Sequence, residues 1–151
     1  MRRLFGVGDD ERVSEPRLQW PATEPAWGRV RLRAFSEADV AMVRELATDP
    51  YLALIGSLPP HADTAGALAW IERQRGRLAE GAGFSFCIAD QHDVALGTAG
   101  LWTGGLADGR ATVGYALCPS ERGLGIGGRR RDMCRYAALR EDRGRRRSEP
   151  P

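Results

Sequence analysis

The chain has 151 residues, is 42% hydrophobic and carries a formal net charge of +2. One domain with a sizeable core is expected, and a fully disordered chain is excluded. All 22 basic residues are arginine, so a Walker A loop, which needs a lysine after its last glycine, and a lysine Schiff base are excluded as well. Three cysteines, Cys87, Cys118 and Cys134, are far apart and form no C-x-x-C. A zinc site or redox pair is not expected, and single thiols fit a reducing, cytoplasmic setting. The apolar stretch after Met1-Arg2-Arg3 is too short for a signal peptide, and no apolar run approaches a membrane span.

Residues 1–28 read as an extension, broken by Pro16, Pro21 and Pro25, with Trp20 and Trp27 available to dock it. Residues 30–35 alternate apolar and charged, as a half-buried strand does. Ser36-Glu37-Ala38-Asp39 has the form of a helix start. The helix that follows would place Val40, Val43, Leu46 and Ala47 on one face and stop at Asp49-Pro50. A loop through Leu58-Pro59-Pro60 leads to a second helix, capped by Asp63 or Thr64 and running to about Glu80. Its weak stripe is Leu68, Ile71, Arg75 and Leu78, and Gly81-Ala82-Gly83 ends it.

Three strands come next: Phe84–Ala89, Val94–Thr103 and Arg110–Leu117. They are separated by turns at Gln91-His92-Asp93 and from Thr103 to Gly109. A last helix is predicted from Leu124 or Ile126 to about Leu139. This order gives an α+β or mixed α/β fold around a largely antiparallel sheet.

The most specific chemistry lies in Arg122-Gly123-Leu124-Gly125-Ile126-Gly127. Glycines alternating with aliphatics let backbone N–H groups converge where a helix begins, which is a phosphate or pyrophosphate cradle. Arg122 adds a fixed charge with a planar donor fork. Gly123, Gly125 and Gly128 also satisfy G-x-G-x-x-G. A dinucleotide-binding unit, however, needs a strand running straight into the loop and a second parallel strand after the helix. Here Cys118-Pro119-Ser120-Glu121 intervenes, and residues 144–151 contain no core strand.

The loop and the order of elements resemble the GNAT superfamily of acyl-CoA N-acyltransferases. Arg122, Gly125 and Gly127 fill that family's Arg/Gln-x-x-Gly-x-Gly/Ala motif. Val113–Pro119 resembles its fourth strand and exit. Arg31–Asp39 and Ala95–Leu101 resemble the opening and third strand of the branch that includes the ribosomal-protein alanine N-acetyltransferases. The resemblance covers roughly residues 29–139. It implies a GNAT-like fold, acetyl-CoA as acyl donor and a primary amine as acceptor, either a protein N-terminus or a small amine. It implies a domain over 29–140 between the extension and an arginine-rich tail at 141–151. The Leu117 backbone would pair with the pantetheine arm. The amides of Gly123, Leu124, Gly125, Ile126, Gly127 and Gly128 would hold the pyrophosphate, with Arg122 at the head of the loop.

The hydrophobic pattern thins after Gly128, where the family continues with further strands and a helix. An incomplete domain is therefore expected, with its C-terminal strands missing. The alternative to an active enzyme is a truncated remnant that at most binds CoA. A homodimer would complete the sheet, and nine clustered arginines at the end make nucleic-acid binding a lesser alternative. No base is evident. Thr112 stands where relatives carry Glu, Asp108 and Glu121 flank the strand, and His61 and His92 sit in loops. Trp102 and Tyr115 are candidates for the acceptor channel, with plain packing as the competing role. Gly83–Cys87 lies at a strand start and so is not a hydrolase elbow.

Overall fold

A computed structural model describes residues 18–123 and the backbone of residues 133–139. The elements in chain order are β1 (Ala26–Trp27), β2 (Val30–Arg33), α1 (Val40–Leu46), α2 (Pro50–Ile55), α3 (Thr64–Gly76), β3 (Gly83–Asp90), β4 (Ala95–Trp102), β5 (Arg110–Leu117) and β6 (Met133–Leu139). The six strands form one sheet in the order β1-β2-β3-β4-β5-β6, and every neighbouring pair is antiparallel.

The sheet is two-faced because side chains alternate along each strand. Cys87 is opposite Thr98, and Thr98 is opposite Ala116. Cys87 and Ala116 join Cys118 and the buried faces of the helices in the main core, with Val43, Leu46 and Ile71 at its centre. The other face gathers Ile88, Leu96 and Leu117, with Val30, Leu32, Ala99 and Tyr115 against them. Within the stretch before residue 29, β1 pairs with β2, and Trp20 packs on Phe86 with ring centroids 4.8 Å apart. Trp27, by contrast, is exposed.

The first helix region is pinned to the sheet by charge. Arg33 donates from both terminal nitrogens to the two oxygens of Asp39, each at 2.8 Å, and from Nε to Asp93 Oδ1 at 2.6 Å. The Ser36 backbone N–H donates to Asp39 Oδ2 at 2.8 Å, so Asp39 closes the helix start as its sequence position predicts. Burial alone would raise the Asp39 carboxyl. The hydrogen bonds from Arg33 and Ser36 outweigh it and hold the group below the usual carboxylate range.

Three expectations are corrected. Asp49-Pro50 ends one helix and also starts another: Pro50 takes the first position of α2, and Asp49 caps it by accepting from the Tyr51 N–H at 2.8 Å. In α3 the inward face is Ala67, Trp70, Ile71 and Gln74, while Leu68 is exposed. The predicted last helix is overturned over Met133–Leu139, which pairs as a strand along β5 from Arg110↔Leu139 to Ala116↔Met133. The unpaired edge of β5 gives this segment a hydrogen-bonding partner that its alanine content does not advertise.

Candidate functional site

A cleft opens between the helices and the inner face of β3, β4 and β5, with about 550 Å³ of free space, part of it open to solvent. Its floor is hollow because glycines meet across the strands. Gly100 lies opposite both Ser85 and Gly114. The Trp102 ring folds over Gly100, where an added Cβ would come within 2.7 Å of it. A strand glycine of this kind marks a close approach, here by an indole.

The rest of the wall comes from the helices. Leu46, Leu52 and Leu58 supply apolar surface, and Trp70, Gln74 and Arg77 line it from one face of α3 and its end. Spacings of four and three residues put these side chains in a row. Gln74 Oε1 accepts from Ser85 Oγ at 2.9 Å. The Arg77 guanidinium carbon sits 5.8 Å from the Trp102 ring centroid, within cation–π range. Burial pushes the Arg77 pKa down. Side chains of Ser57, Ser85 and Thr98 also line the cleft, but no Asp, Glu or His among the described residues does.

Beside this cleft β5 ends in a braced junction. The Cys118 N–H donates to Leu96 O at 2.9 Å, so Gly97 and Leu117 form a non-hydrogen-bonded pair. The Leu117 N–H and C=O therefore point away from β4. Among the described residues the pairing of β5 with β6 reaches Ala116↔Met133, and Leu117 follows it. Its carbonyl accepts from Arg122 Nε at 3.1 Å. Arg122 also forms an ion pair with Asp49, the cap of α2. Burial would raise the Asp49 carboxyl, but the Arg122 bond and the Tyr51 and Leu52 amides hold it low. The Ser120 N–H donates to Glu45 Oε1 at 2.8 Å, and Cys118 Sγ lies 3.5 Å from Met42 O. The segment leading to the glycine loop is thus tied to both α1 and α2.

Gly123 adopts φ +80°, with nothing among the described residues within 4 Å of an added Cβ. Leu124, Gly125, Ile126, Gly127 and Gly128 lie outside the described residues, as does the arginine tail at 141–151. Trp102 lines the cleft, whereas Tyr115 borders it between Gly114 and Ala116 and packs its side chain with Ile88, Leu96 and Leu117 on the other face of the sheet. His61, His92, Thr112 and Asp108 are exposed away from it, and Asp108 pairs with Arg110. Burial pushes the Cys87 and Cys118 thiols up to about 12, so neither is a thiolate at neutral pH. Among the described residues no cluster of His, Cys, Asp and Glu could hold a metal ion, and no helix is long and apolar enough to cross a membrane. The sequence reading missed Trp70, Gln74, Arg77 and Asp49. A polar Gln74 on the helix face that buries Ala67 and Ile71 was the available signal.

Residues 29–142 match the model of the acetyltransferase (GNAT) domain. The chain belongs to the GNAT acetyltransferase family. Among solved structures, an acetyltransferase from Agrobacterium tumefaciens str. C58 is similar over 76% of this chain and 65% of its own, with 16% identity and a TM-score of 0.51. A spermidine N-acetyltransferase SpeG chimera from Vibrio cholerae and hSSAT is similar over 66% of this chain and 55% of its own, with 16% identity and a TM-score of 0.47. This GNAT chain therefore spans less than two thirds of the length of either. At that identity the first likeness bears on the fold alone, and it agrees with a mixed α/β, antiparallel GNAT architecture. No curated protein sequence matches the chain.

Proposed function

We propose that the chain is an N-acetyltransferase that moves an acetyl group from acetyl-CoA to a primary amine. The observation that carries this reading is the junction at Leu117. Its backbone groups turn away from β4, and Arg122 links its carbonyl to Asp49 at the head of α2. Farther along, Leu52 and Gly56 wall the cleft. The start of the glycine loop and the acceptor cleft thus share one brace.

In this reading the Leu117 backbone pairs with the pantetheine arm. The amides from Gly123 to Gly128 take the pyrophosphate. The left-handed Gly123 suits a chain turning its N–H groups toward an anion. The bound cofactor supplies an acetyl thioester, and the cleft holds the amine against it and restricts water. The resemblance of Arg31–Asp39 to the ribosomal-protein alanine N-acetyltransferases favours a protein N-terminus as acceptor. The free, buried Cys87 and Cys118 suit a reducing cytoplasm.

The test is calorimetric titration of acetyl-CoA into the full chain beside Gly125→Glu, followed by acceptor-dependent release of the CoA thiol. Saturable binding lost in the variant, with thiol release on adding an amine, is expected. Binding without release from any amine would leave a CoA-binding protein, and no binding by a folded chain would refute the reading.

A further inference from the structure

Two residues of the cleft wall carry hydrogen-bond donors with no acceptor among the described residues. Trp70 Nε1 and Gln74 Nε2 are buried without a partner among the described residues. The two residues are only 5% and 4% exposed. Gln74 cannot turn away freely, because its Oε1 is held by Ser85. Both belong to the cleft lining, and buried donors of this kind are costly unless something supplies an acceptor. Arg77 follows on the same helix face and adds a cation laid against Trp102. The described wall carries no carboxylate to balance it.

We propose that this cleft selects amine acceptors bearing a planar oxygen, carbonyl or carboxylate, next to the amine. Trp70 Nε1 and Gln74 Nε2 seat that oxygen, and Arg77 stands behind them as a positive charge. The identification of the ligand as an acceptor rests on the acetyltransferase reading above; the donor chemistry does not. An α-amino acid and the N-terminal residue of a peptide both present this pairing of amine and oxygen. A polyamine presents none: it leaves both donors unfilled and brings more positive charge to Arg77.

Tryptophan fluorescence reads occupancy directly, since Trp70 and Trp102 line the cleft. Alaninamide, alanine, isopropylamine and 1,4-diaminobutane are titrated into the full wild-type chain, Gln74→Glu and Trp70→Phe, with circular dichroism melts as the folding control. Alaninamide or alanine is expected to bind about tenfold or more tighter than either amine lacking oxygen, one buried donor left unsatisfied being worth about that factor. Trp70→Phe keeps a ring and removes the N–H, so it should weaken the oxygen-bearing ligands alone. Gln74→Glu should weaken them and tighten 1,4-diaminobutane. Tighter binding of alanine than of alaninamide assigns the oxygen to a free amino acid, and the reverse assigns it to a peptide. Equal or tighter binding of 1,4-diaminobutane to the wild type overturns the proposal. So does an oxygen preference that survives in both variants, or no binding of either oxygen-bearing ligand. An oxygen preference in a chain that fails to bind acetyl-CoA would sink the acetyl-transfer reading and leave the cleft chemistry standing.

Discussion

Asp39 shows how one side chain serves two structures. It caps the helix start through the Ser36 N–H and receives both arms of Arg33 from the neighbouring strand. It is 2% exposed, so Asp39→Asn leaves the Arg33 charge half-matched in a dry site. A loss of about 3 kcal/mol in a urea unfolding series is expected. Because the native Asp39 pKa is depressed, its contribution is fully present above the unfolded value of about 4 and is lost as pH falls through the native one. The wild type should therefore lose stability faster than Asp39→Asn on acidification below about pH 4. An equal acid slope in the two proteins would show that the pair contributes nothing. The cap was legible because Ser36-x-x-Asp39 is a local pattern. Its partner Arg33 was not, since alternation in residues 30–35 places a charge on a face without saying what waits there. Gln74 was hidden for the same reason: its meaning depends on Ser85, which arrives from another element.

At the scale of elements, the segments that were legible carry their own punctuation. Arg110–Leu117 lies between turn glycines and Cys118-Pro119, and its bounds match β5. Of the two caps the sequence allowed, Asp63 and Thr64, it is Asp63 that caps α3, through the Gly66 N–H at 2.8 Å. α2 was missed because Asp49-Pro50 is equally good as an end and a beginning. β6 was missed because Met133-Cys134-Arg135-Tyr136-Ala137-Ala138-Leu139 fits a two-residue period as well as a thin helical one, and the free edge of β5 decides between them. The brace between α2 and the end of β5 yields a test of its own. Arg122→Gln removes the charge facing Asp49, and acetyl-CoA affinity should fall about tenfold, the worth of one charge-assisted bond. Asp49→Asn should lower it in the same direction by loosening Arg122, although Asp49 itself precedes the loop by many residues. An unchanged affinity in both variants would show that the brace does not set the loop.

For the whole molecule, the GNAT architecture was legible from the order of elements and the arginine–glycine motif, whereas the cleft was not. A hollow made by Gly100 against Gly114 depends on strand register, and register is set by turns and by what each face buries. The strand order has a consequence for how the chain comes to be folded. Strand order is chain order, so β3, β4 and β5 join through short turns, and bringing their ends together costs little entropy. The long closure among the described residues is β2 onto β3, across residues 34–82 and all three helices. Local hairpins should form early and the helical layer should close late. Leu46→Ala, on the buried face of α1 in that layer, is then expected to speed unfolding while leaving the refolding rate nearly unchanged. A strongly slowed refolding limb in stopped-flow measurements would place the helices in the nucleus instead. On this order the antiparallel meander would be the template on which the cleft is assembled, and the wall that holds the two donors would be the last part of the described fold to arrive.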